Sequence, residues 1–223
     1  MCAPILCGEA NAVAGGVELA EEIQRDWMTP HHREMLASTE RIDSDEPVRM
    51  VGANMAIAKQ IFDKISGFDP ELGAGQLGSG EETLFSRQMR EAGFRIEYAF
   101  DVVVEHHPDS SRLTREGFHD AARKRGRSSA HVNYHWRRHA DWNVVMLLGG
   151  LIFWGMKLAW WRVRHVWRIR REGMAIEEFE IIKRLYRVRQ HLTEKLRRPK
   201  YAADQRPSER RSEMRDVESI RVS

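Results

Sequence analysis

The sequence predicts an α/β fold, in which a partial mixed sheet with flanking helices is followed by a basic helical tail. Apolar and polar residues alternate over residues 94–98, and three valines follow at 102–104, as in two strands. Residues 81–92 place their apolar side chains on one helical face, and Gly93 stands where a helix-ending glycine belongs. An 18-residue apolar run occupies residues 144–161.

The elements before residue 94 follow from the same periodicities. A strand is expected over residues 49–57. A short helix is expected over residues 59–65 with Gly67 as its stop, and with inward side chains from Ile61, Phe62 and Ile65. The helix over residues 81–92 is expected to pack on the sheet through Leu84, Phe85 and Met89.

Two adjacent carboxylates, Glu81 and Glu82, begin the predicted helix 81–92. They follow a loop that contains Gly73, Gly75, Gly78 and Gly80. Carboxylates at a helix N-terminus are favoured by the helix dipole and by the free N–H groups there. A purely structural role is therefore open beside a chemical one.

The net charge of +3 conceals a strong polarity along the chain. Residues 1–111 contain 20 acidic and 9 basic residues, whereas residues 112–223 contain 13 acidic and 27 basic residues. This shift predicts different partners for the two halves. The two cysteines, Cys2 and Cys7, lie near the start of the chain and cannot link distant parts of the fold by a disulfide. This favours reduced thiols in a cytosolic protein.

The C-terminal half has the composition of a membrane interface. The apolar run 144–161 is barely long enough to span a bilayer and is interrupted by Lys157. Tryptophans lie at its edge, and a block of arginines follows: Arg162, Arg164, Arg168, Arg170 and Arg171. Residues 176–196 predict a basic amphipathic helix, which either lies on a membrane or forms a helical hairpin packed on the protein's own core.

One or two helices are predicted over residues 113–136. A basic patch in this region either binds an anion or is a solvated face. The patch consists of Arg123, Lys124, Arg125 and Arg127. His131, His135 and His139 share one helical face at a spacing that can bind zinc, although no cysteine or carboxylate of the helix completes the ligand set.

The order of short motifs over residues 12–140 resembles the acceptor-side half of family 2 glycosyltransferases, which have the GT-A fold. Each motif is weak alone, but five in order at fitting spacings are fairly specific. The matching residues are Gly52-Ala53-Asn54-Met55-Ala56, Ser66-Gly67-Phe68-Asp69, Gly80-Glu81-Glu82 with Arg87, Ala92-Gly93-Phe94, and His106 at the end of a strand.

The resemblance implies a role for each matching residue. Glu82 replaces the family's aspartate and is expected to take the proton of the acceptor hydroxyl, with Glu81 orienting it or binding the acceptor. His106 is expected to bind the metal or to contact the diphosphate. The residues expected to contact substrate are Gly52, Asn54, Gly80, Arg87, Arg123 and Arg127.

The nucleotide-binding half of such an enzyme is not recognisable in the sequence. In the family, an apolar strand ending in Asp-x-Asp holds the metal and the sugar nucleotide. Asp43-Ser44-Asp45 matches the Asp-x-Asp pattern, but it follows a polar segment and lies too close to Glu82 in the sequence. This segment is therefore predicted to be a polar loop. A divalent metal, Mg²⁺ or Mn²⁺, is therefore expected only together with an Asp-x-Asp half, and the chain alone is expected to be inactive.

These observations predict three regions: residues 1–140 as the acceptor-side half of a GT-A domain, residues 141–196 as a membrane-associated helical region, and residues 197–223 as a disordered charged tail. The expected activity is inverting sugar transfer from a nucleotide-sugar to a saccharide or lipid-linked hydroxyl acceptor, in cell-surface polysaccharide or glycolipid synthesis.

The expected location is the cytoplasmic side of the membrane, with peripheral attachment to its anionic inner face. The alternative function is a non-catalytic module that binds the membrane surface. Nucleic acid is not an expected partner, because the tryptophans adjoin the apolar run and no nucleic-acid motif is present.

Overall fold

The computed structural model describes residues 1–42, 49–137, 143–168 and 172–201. Several predicted features lie outside these residues, namely Asp43-Ser44-Asp45, His139, Arg170, Arg171 and the tail residues 202–223. Over the described ranges the chain forms a mixed three-stranded sheet and six α-helices, which confirms the α/β class. The strands are β1 (Ala12–Leu19), β2 (Met55–Ile57) and β3 (Ile96–His106), and the helices are α1 (Ala3–Leu6), α2 (Pro30–Met35), α3 (Glu81–Glu91), α4 (Arg115–His135), α5 (Val144–Arg164) and α6 (Ile176–Glu194).

The central strand of the sheet, β1, is one that the sequence analysis did not predict. It runs antiparallel to β2 and parallel to β3, as far as the pair formed by Leu19 and His106. Nearly all of its residues are buried. Because glycine is depleted in strands, the adjacent Gly15 and Gly16 conceal this strand in the sequence.

The pairing of β1 with β3 is interrupted at one point, and Asn54 fills the gap. The register shifts between Gly15 and Gly16, so residues 100–102 of β3 have no partner in β1. The side-chain Nδ2 of Asn54 donates to the carbonyls of Gly16 and Val102, each at 2.8 Å. A Cβ on Gly15 would lie 2.3 Å from that nitrogen, so only glycine fits there. This irregularity explains why the sequence shows two strands where the structure has one.

Helix α3 packs on the sheet through two of the three residues that the periodicity predicts. Phe85 and Met89 are buried in a core cluster with residues of β1, whereas Leu84 is buried in another cluster, which contains Leu72 and Trp136 and no strand residue. Gly93, with a φ of 83°, follows the helix in the left-handed conformation that glycine favours. These contacts fix α3, and hence its first turn, against the sheet.

The helix expected over residues 59–65 is a 3₁₀ helix, Lys59–Asp63. Ile61 is buried as predicted, but Phe62 is 46% exposed and is not an inward residue. A 3₁₀ helix has three residues per turn, so its side chains point in other directions than those of an α-helix. The ring of Phe62 still stacks on Phe85, at 5.5 Å between centroids.

Helices α4 and α6 lie side by side and run in the same direction. Facing residues are separated by a constant 63 positions, as in Arg115 with Glu178 and His131 with Glu194. The apolar stripe of α6 is buried in a core that contains Phe118, Phe179 and Ile182. Of the two alternatives for residues 176–196, α6 therefore fits packing on the protein's own core.

The chain beyond α6 also packs on the core. Tyr201 is 7% exposed and lies in an apolar cluster with Leu72, Leu77, Leu84 and Trp136. The expected disorder from residue 197 onward is therefore wrong for residues 197–201. The charge of this segment indicated disorder, whereas its one aromatic residue, Tyr201, anchors it to the apolar cluster.

Candidate active site

The first turn of α3 presents two carboxylates to the loop that precedes it. Gly80 caps the helix with a φ of 90°, a conformation that L side chains rarely adopt. Glu81 and Glu82 follow as the first two helical residues, where the free backbone N–H groups and the helix dipole favour negative charge. The predicted position of this pair, called the carboxylate pair below, is confirmed.

Gly52 lies directly against the Glu82 side chain. A Cβ at residue 52 would lie 2.5 Å from Oε1 of Glu82. Ser86 joins the same two segments, because its hydroxyl accepts from the N–H of Met50 at 3.0 Å and donates to the carbonyl of Glu82 at 2.6 Å. The residue 50–52 segment and α3 thus form one rigid support for Glu82.

The two carboxylates of the pair are close enough for their charges to interact, and they differ in environment. Burial, and then the charge of the neighbouring Glu81, raise the pKa of Glu82. Oε2 of Glu81 is buried without a hydrogen-bond partner among the described residues. Gly73 covers Glu81, since a Cβ at residue 73 would lie 3.1 Å from its carboxyl carbon. A carboxyl group whose pKa is raised toward neutrality is suited to proton transfer.

The carboxyl ends of β1 and β3 carry a half-buried histidine with an arginine nearby. His106 ends β3, and its carbonyl accepts from the N–H of Ala20 at 3.1 Å. Burial, and then the nearby Arg112, lower the pKa of His106, so this imidazole is neutral at pH 7. Its Nε2 is buried and finds no partner in the ranges that the structure describes.

Arg112 stands near this histidine, and Arg125 stands near Arg112. Among the described residues Arg112 has no ion-pair partner, and burial lowers its pKa. Arg125 donates to the carbonyl of Glu34 at 3.2 Å and lies over the ring of Phe179. Crevices at the carboxyl ends of parallel strands are common ligand sites in α/β sheets. The cations at this end favour an anion over a metal ion beside His106.

The glycine-rich loop before α3 rests on α4 through a lysine that the sequence analysis did not select. A Cβ at Gly78 would lie 2.4 Å from Cγ of Lys124, and Ser79 contacts Ser128 at 3.4 Å between the hydroxyl oxygens. The packing of α4 on α6 turns this face to the loop, and one residue along a helix rotates a side chain by about 100°. The sequence offered four basic residues here without showing which of them faces the loop.

The other predicted substrate residues fall in separate places. Arg123 pairs with Asp120 on its own helix, and Arg127 reaches Gln190 of α6 at 3.4 Å. Both donors of the Asn54 amide are occupied by the sheet carbonyls. Arg87 has a buried Nη1 that meets no acceptor among the described residues, and burial followed by nearby Arg137 lowers its pKa. Gly52, Gly80, Glu81 and Glu82 are brought together.

The predicted metal role of His106 finds little support in the residues present. Over the described ranges, the one set of three side chains close enough to share a metal ion is His131, His135 and Glu194, whose ligand atoms lie within 4.8 Å of one another. His106 is not in this set, and its charged neighbour is a cation. A catalytic Mg²⁺ or Mn²⁺ therefore remains a prediction that depends on an Asp-x-Asp segment.

No protein-family model matches the chain, and no curated protein or solved structure is significantly similar to it. The resemblance to glycosyltransferases therefore rests on the five sequence motifs alone.

Proposed function

We propose that the chain is the acceptor-side half of an inverting sugar transferase similar to family 2 glycosyltransferases. The observation that carries the proposal is the carboxylate pair, in which Glu82 is half-buried, held by Gly52 and raised in pKa beside Glu81. Such a carboxylate binds a proton more readily than an exposed one does, which is the property of a general base.

In the proposed reaction, the oxygen of an acceptor hydroxyl attacks the anomeric carbon of the donor sugar. The bond from that carbon to the diphosphate breaks, the hydroxyl proton moves to Glu82, and the nucleoside diphosphate leaves. Glu81 orients Glu82 or accepts a hydrogen bond from the acceptor. His106 and Arg112 are the described groups suited to bind the anionic diphosphate.

The substrates that fit this proposal are a nucleotide-sugar and a saccharide or lipid-linked acceptor, as in the synthesis of cell-surface polysaccharide or glycolipid. A bound Mg²⁺ or Mn²⁺ supplies further positive charge to the leaving diphosphate in enzymes of this kind. In this proposal the carboxylate pair serves the acceptor hydroxyl, and the metal would be held by an Asp-x-Asp segment.

Helix α5 supports a location at the membrane. Among the helices of the described residues, it is the one that is long and apolar enough to cross a bilayer. Only 11% of its most apolar 18-residue stretch is buried. One side contacts α6, since a Cβ added at Gly150 would lie 3.3 Å from Cγ1 of Val188. The opposite side exposes large apolar residues, called the exposed face of α5: Val145, Met146, Leu148, Ile152, Phe153, Met156, Trp160 and Val163.

The packing of α5 favours attachment in the plane of the membrane over a full span. Charged side chains of α6 lie beside α5, so a span would carry them into the hydrocarbon. Arg184 lies over the ring of Trp154 at 5.0 Å, and Arg164 lies over Trp160 at 5.3 Å. Cations and tryptophans beside an apolar face are typical of helices at an anionic membrane surface. We therefore propose peripheral attachment on the cytoplasmic side.

The exposed face of α5 also supports the alternative function, a non-catalytic module that binds the membrane surface. This module would need α5 and not the carboxylate pair. A substitution of Glu82 therefore distinguishes the two functions, because it should impair sugar transfer and leave membrane binding unchanged.

The test compares sugar transfer in membranes from cells that encode the chain. Membranes carrying the wild type, Glu82→Gln or Glu177→Gln are supplied with labelled nucleotide-sugars, and label is measured in the lipid and polymer fractions. Glu177 is a matched control, because it is the second residue of α6 as Glu82 is the second residue of α3, and it is exposed.

Glu82→Gln is expected to lower incorporation by about 10²–10⁴-fold, the usual contribution of a general base. Glu177→Gln is expected to match the wild type. Equal incorporation with Glu82→Gln and the wild type would overturn the catalytic proposal and leave the membrane-binding module.

A further inference from the structure

A cluster of charged side chains is buried between the glycine-rich loop, α4 and α6. His131 lies at its centre and is fully buried. Its Nε2 is 3.1 Å from Oδ2 of Asp69, and its Nδ1 is 3.3 Å from Oε1 of Glu194. Oε2 of Glu194 is 3.0 Å from Nε2 of His135. These four residues are called the buried ion cluster.

Hydrogen-bond geometry assigns the protons of the buried ion cluster. Nδ1 of His135 accepts from the backbone N–H of Lys200 at 3.0 Å, so Nε2 of His135 carries the proton and donates to Glu194. Both nitrogens of His131 face carboxylates, so both carry protons and the ring is a cation. Three of the four ring nitrogens thus carry a proton, and the fourth, Nδ1 of His135, accepts a hydrogen bond, although the spacing alone would also admit a metal ion.

Residues 197–201 complete the charge balance of the cluster. Lys200 extends its ammonium to Oδ1 of Asp69 at 2.5 Å, and the hydroxyl of Tyr201 donates to Oδ2 of Asp69 at 2.6 Å. Arg197 donates to Glu194 at 3.2 Å and also pairs with Glu71. A buried carboxylate with this many donors is stable as the anion.

Asp69 connects the cluster to the carboxylate pair through a short stretch of chain. Its Oδ1 accepts from the N–H of Glu71 at 3.0 Å, and Leu77 returns to the carbonyl of Glu71 at 3.2 Å. Gly73, four residues after Asp69, is the residue that lies against Glu81. The loop that covers the carboxylate pair is therefore fastened at Asp69.

We propose that His131 is a positioning residue for the carboxylate pair: through Asp69 it fixes the loop of residues 69–77, and this loop keeps Gly73 on Glu81. The proposal gives the buried ion cluster a role in the proposed sugar transfer, and its importance for catalysis rests on that function.

The test measures the pKa of Glu82 by carbon NMR of glutamate-labelled protein, with Glu82→Gln to assign its signal. The cluster is weakened by Asp69→Asn or Glu194→Gln. Glu178→Gln is the matched control, because Glu178 is an equally buried glutamate of α6 that pairs with Arg115 and Arg162 instead. A merely structural role would make all three variants behave alike in this measurement.

Asp69→Asn and Glu194→Gln are expected to lower the pKa of Glu82 toward its ordinary value, because a loosened loop admits water to the pair. Glu178→Gln is expected to leave it unchanged. If Asp69→Asn does not fold, Tyr201→Phe removes one hydrogen bond to Asp69 and is expected to give a smaller shift in the same direction.

An unchanged Glu82 pKa in the folded cluster variants, or an equal shift in Glu178→Gln, would overturn the positioning role. Stoichiometric zinc in the purified protein, lost on His131→Asn, would overturn the proton assignment on which it stands. Because the readout is a pKa and not sugar transfer, the outcome is independent of the Glu82→Gln activity test.

Discussion

The carboxylate of Glu82 and the backbone of Gly52 are in such close contact that no side chain fits between them. A Cβ at residue 52 would lie 2.5 Å from Oε1 of Glu82 and 3.4 Å from its carboxyl carbon. Thirty positions separate the two residues in the sequence. Their contact joins two of the motifs that carry the resemblance to glycosyltransferases.

Gly52→Ala is expected to displace the Glu82 carboxylate and to lower sugar incorporation by about 10–100-fold, since small misplacements of catalytic groups reduce rates strongly. Stability should change by less than about 1 kcal/mol, because Gly52 is exposed and its φ is not positive. Labelled-sugar incorporation and thermal melts measure the two effects. Ala53→Ser, at the exposed next position, is the control, and wild-type incorporation by Gly52→Ala would contradict the prediction.

The buried ion cluster predicts a stability maximum between acidic and strongly basic pH. Burial opposes the charge of His131, but hydrogen bonds to Asp69 and Glu194 prevail and raise its pKa to about 9. The stabilisation that protonated His131 contributes is therefore complete below pH 6.5 and is lost as the pH rises through about 9. Donors around Asp69 and Glu194 lower their pKa values against burial, so these contributions are present above about pH 4.5 and are lost as the pH falls.

Urea unfolding from pH 4 to pH 10 measures this dependence. His131→Asn is expected to lower the midpoint at pH 6 and to reduce the decline between pH 8 and pH 10. His107→Asn is the control, because His107 is an exposed histidine whose partners are Glu22 and Glu105. If the midpoint of His131→Asn declines between pH 8 and pH 10 as much as that of the wild type, a group other than His131 causes the decline.

Local patterns predicted part of the fold, and long-range packing determined the rest. The 3.6-residue period of α3 was visible because its buried face is continuous in sequence. Strand β1 was hidden by its two glycines, which distant residues require: Gly15 leaves room for the Asn54 side chain, and a Cβ at Gly16 would lie 2.9 Å from the carbonyl oxygen of Phe100. Propensity describes what a residue prefers alone, and here a contact with a distant residue decided the conformation.

The candidate site shows the same division. The adjacency of Glu81 and Glu82 made their pairing predictable, and the helix period placed His131 and His135 on one face. The partner of both histidines, Glu194, comes from a helix 63 residues later, and no local pattern indicates it. Lys124 was equally hidden, because the rotation of α4 about its axis is set by its packing on α6.

Two helical glycines are expected to respond in opposite ways to alanine, because Gly126 lies at the contact of α4 with α6 and Gly149 lies in open space. A Cβ at Gly126 would lie 2.3 Å from the carbonyl oxygen of Lys183, a backbone atom that cannot move alone. Gly126→Ala is therefore expected to destabilise the protein by about 1–3 kcal/mol. Gly149→Ala in α5 meets no atom within 4 Å and is expected to stabilise it by up to about 1 kcal/mol. Equal melting temperatures for the two variants would contradict this helix packing.

The exposed face of α5 predicts binding to anionic membranes without a full span. The protein is expected to float with vesicles that contain anionic lipid, and each nearby cation contributes about 1 kcal/mol of binding that salt weakens. Phe153→Glu places a charge on the exposed face and should abolish flotation, whereas Thr193→Glu, on an exposed site of α6, should not.

Cell fractionation separates peripheral attachment from a span. Washing with high salt and then with alkaline carbonate is expected to release the protein from membranes, because one side of α5 is packed on α6 and only the other is available to lipid. Complete recovery in the soluble fraction before any wash would exclude membrane attachment. Resistance to both washes would show a spanning helix, and α5 would then have to leave α6, breaking the pair of Arg162 with Glu178.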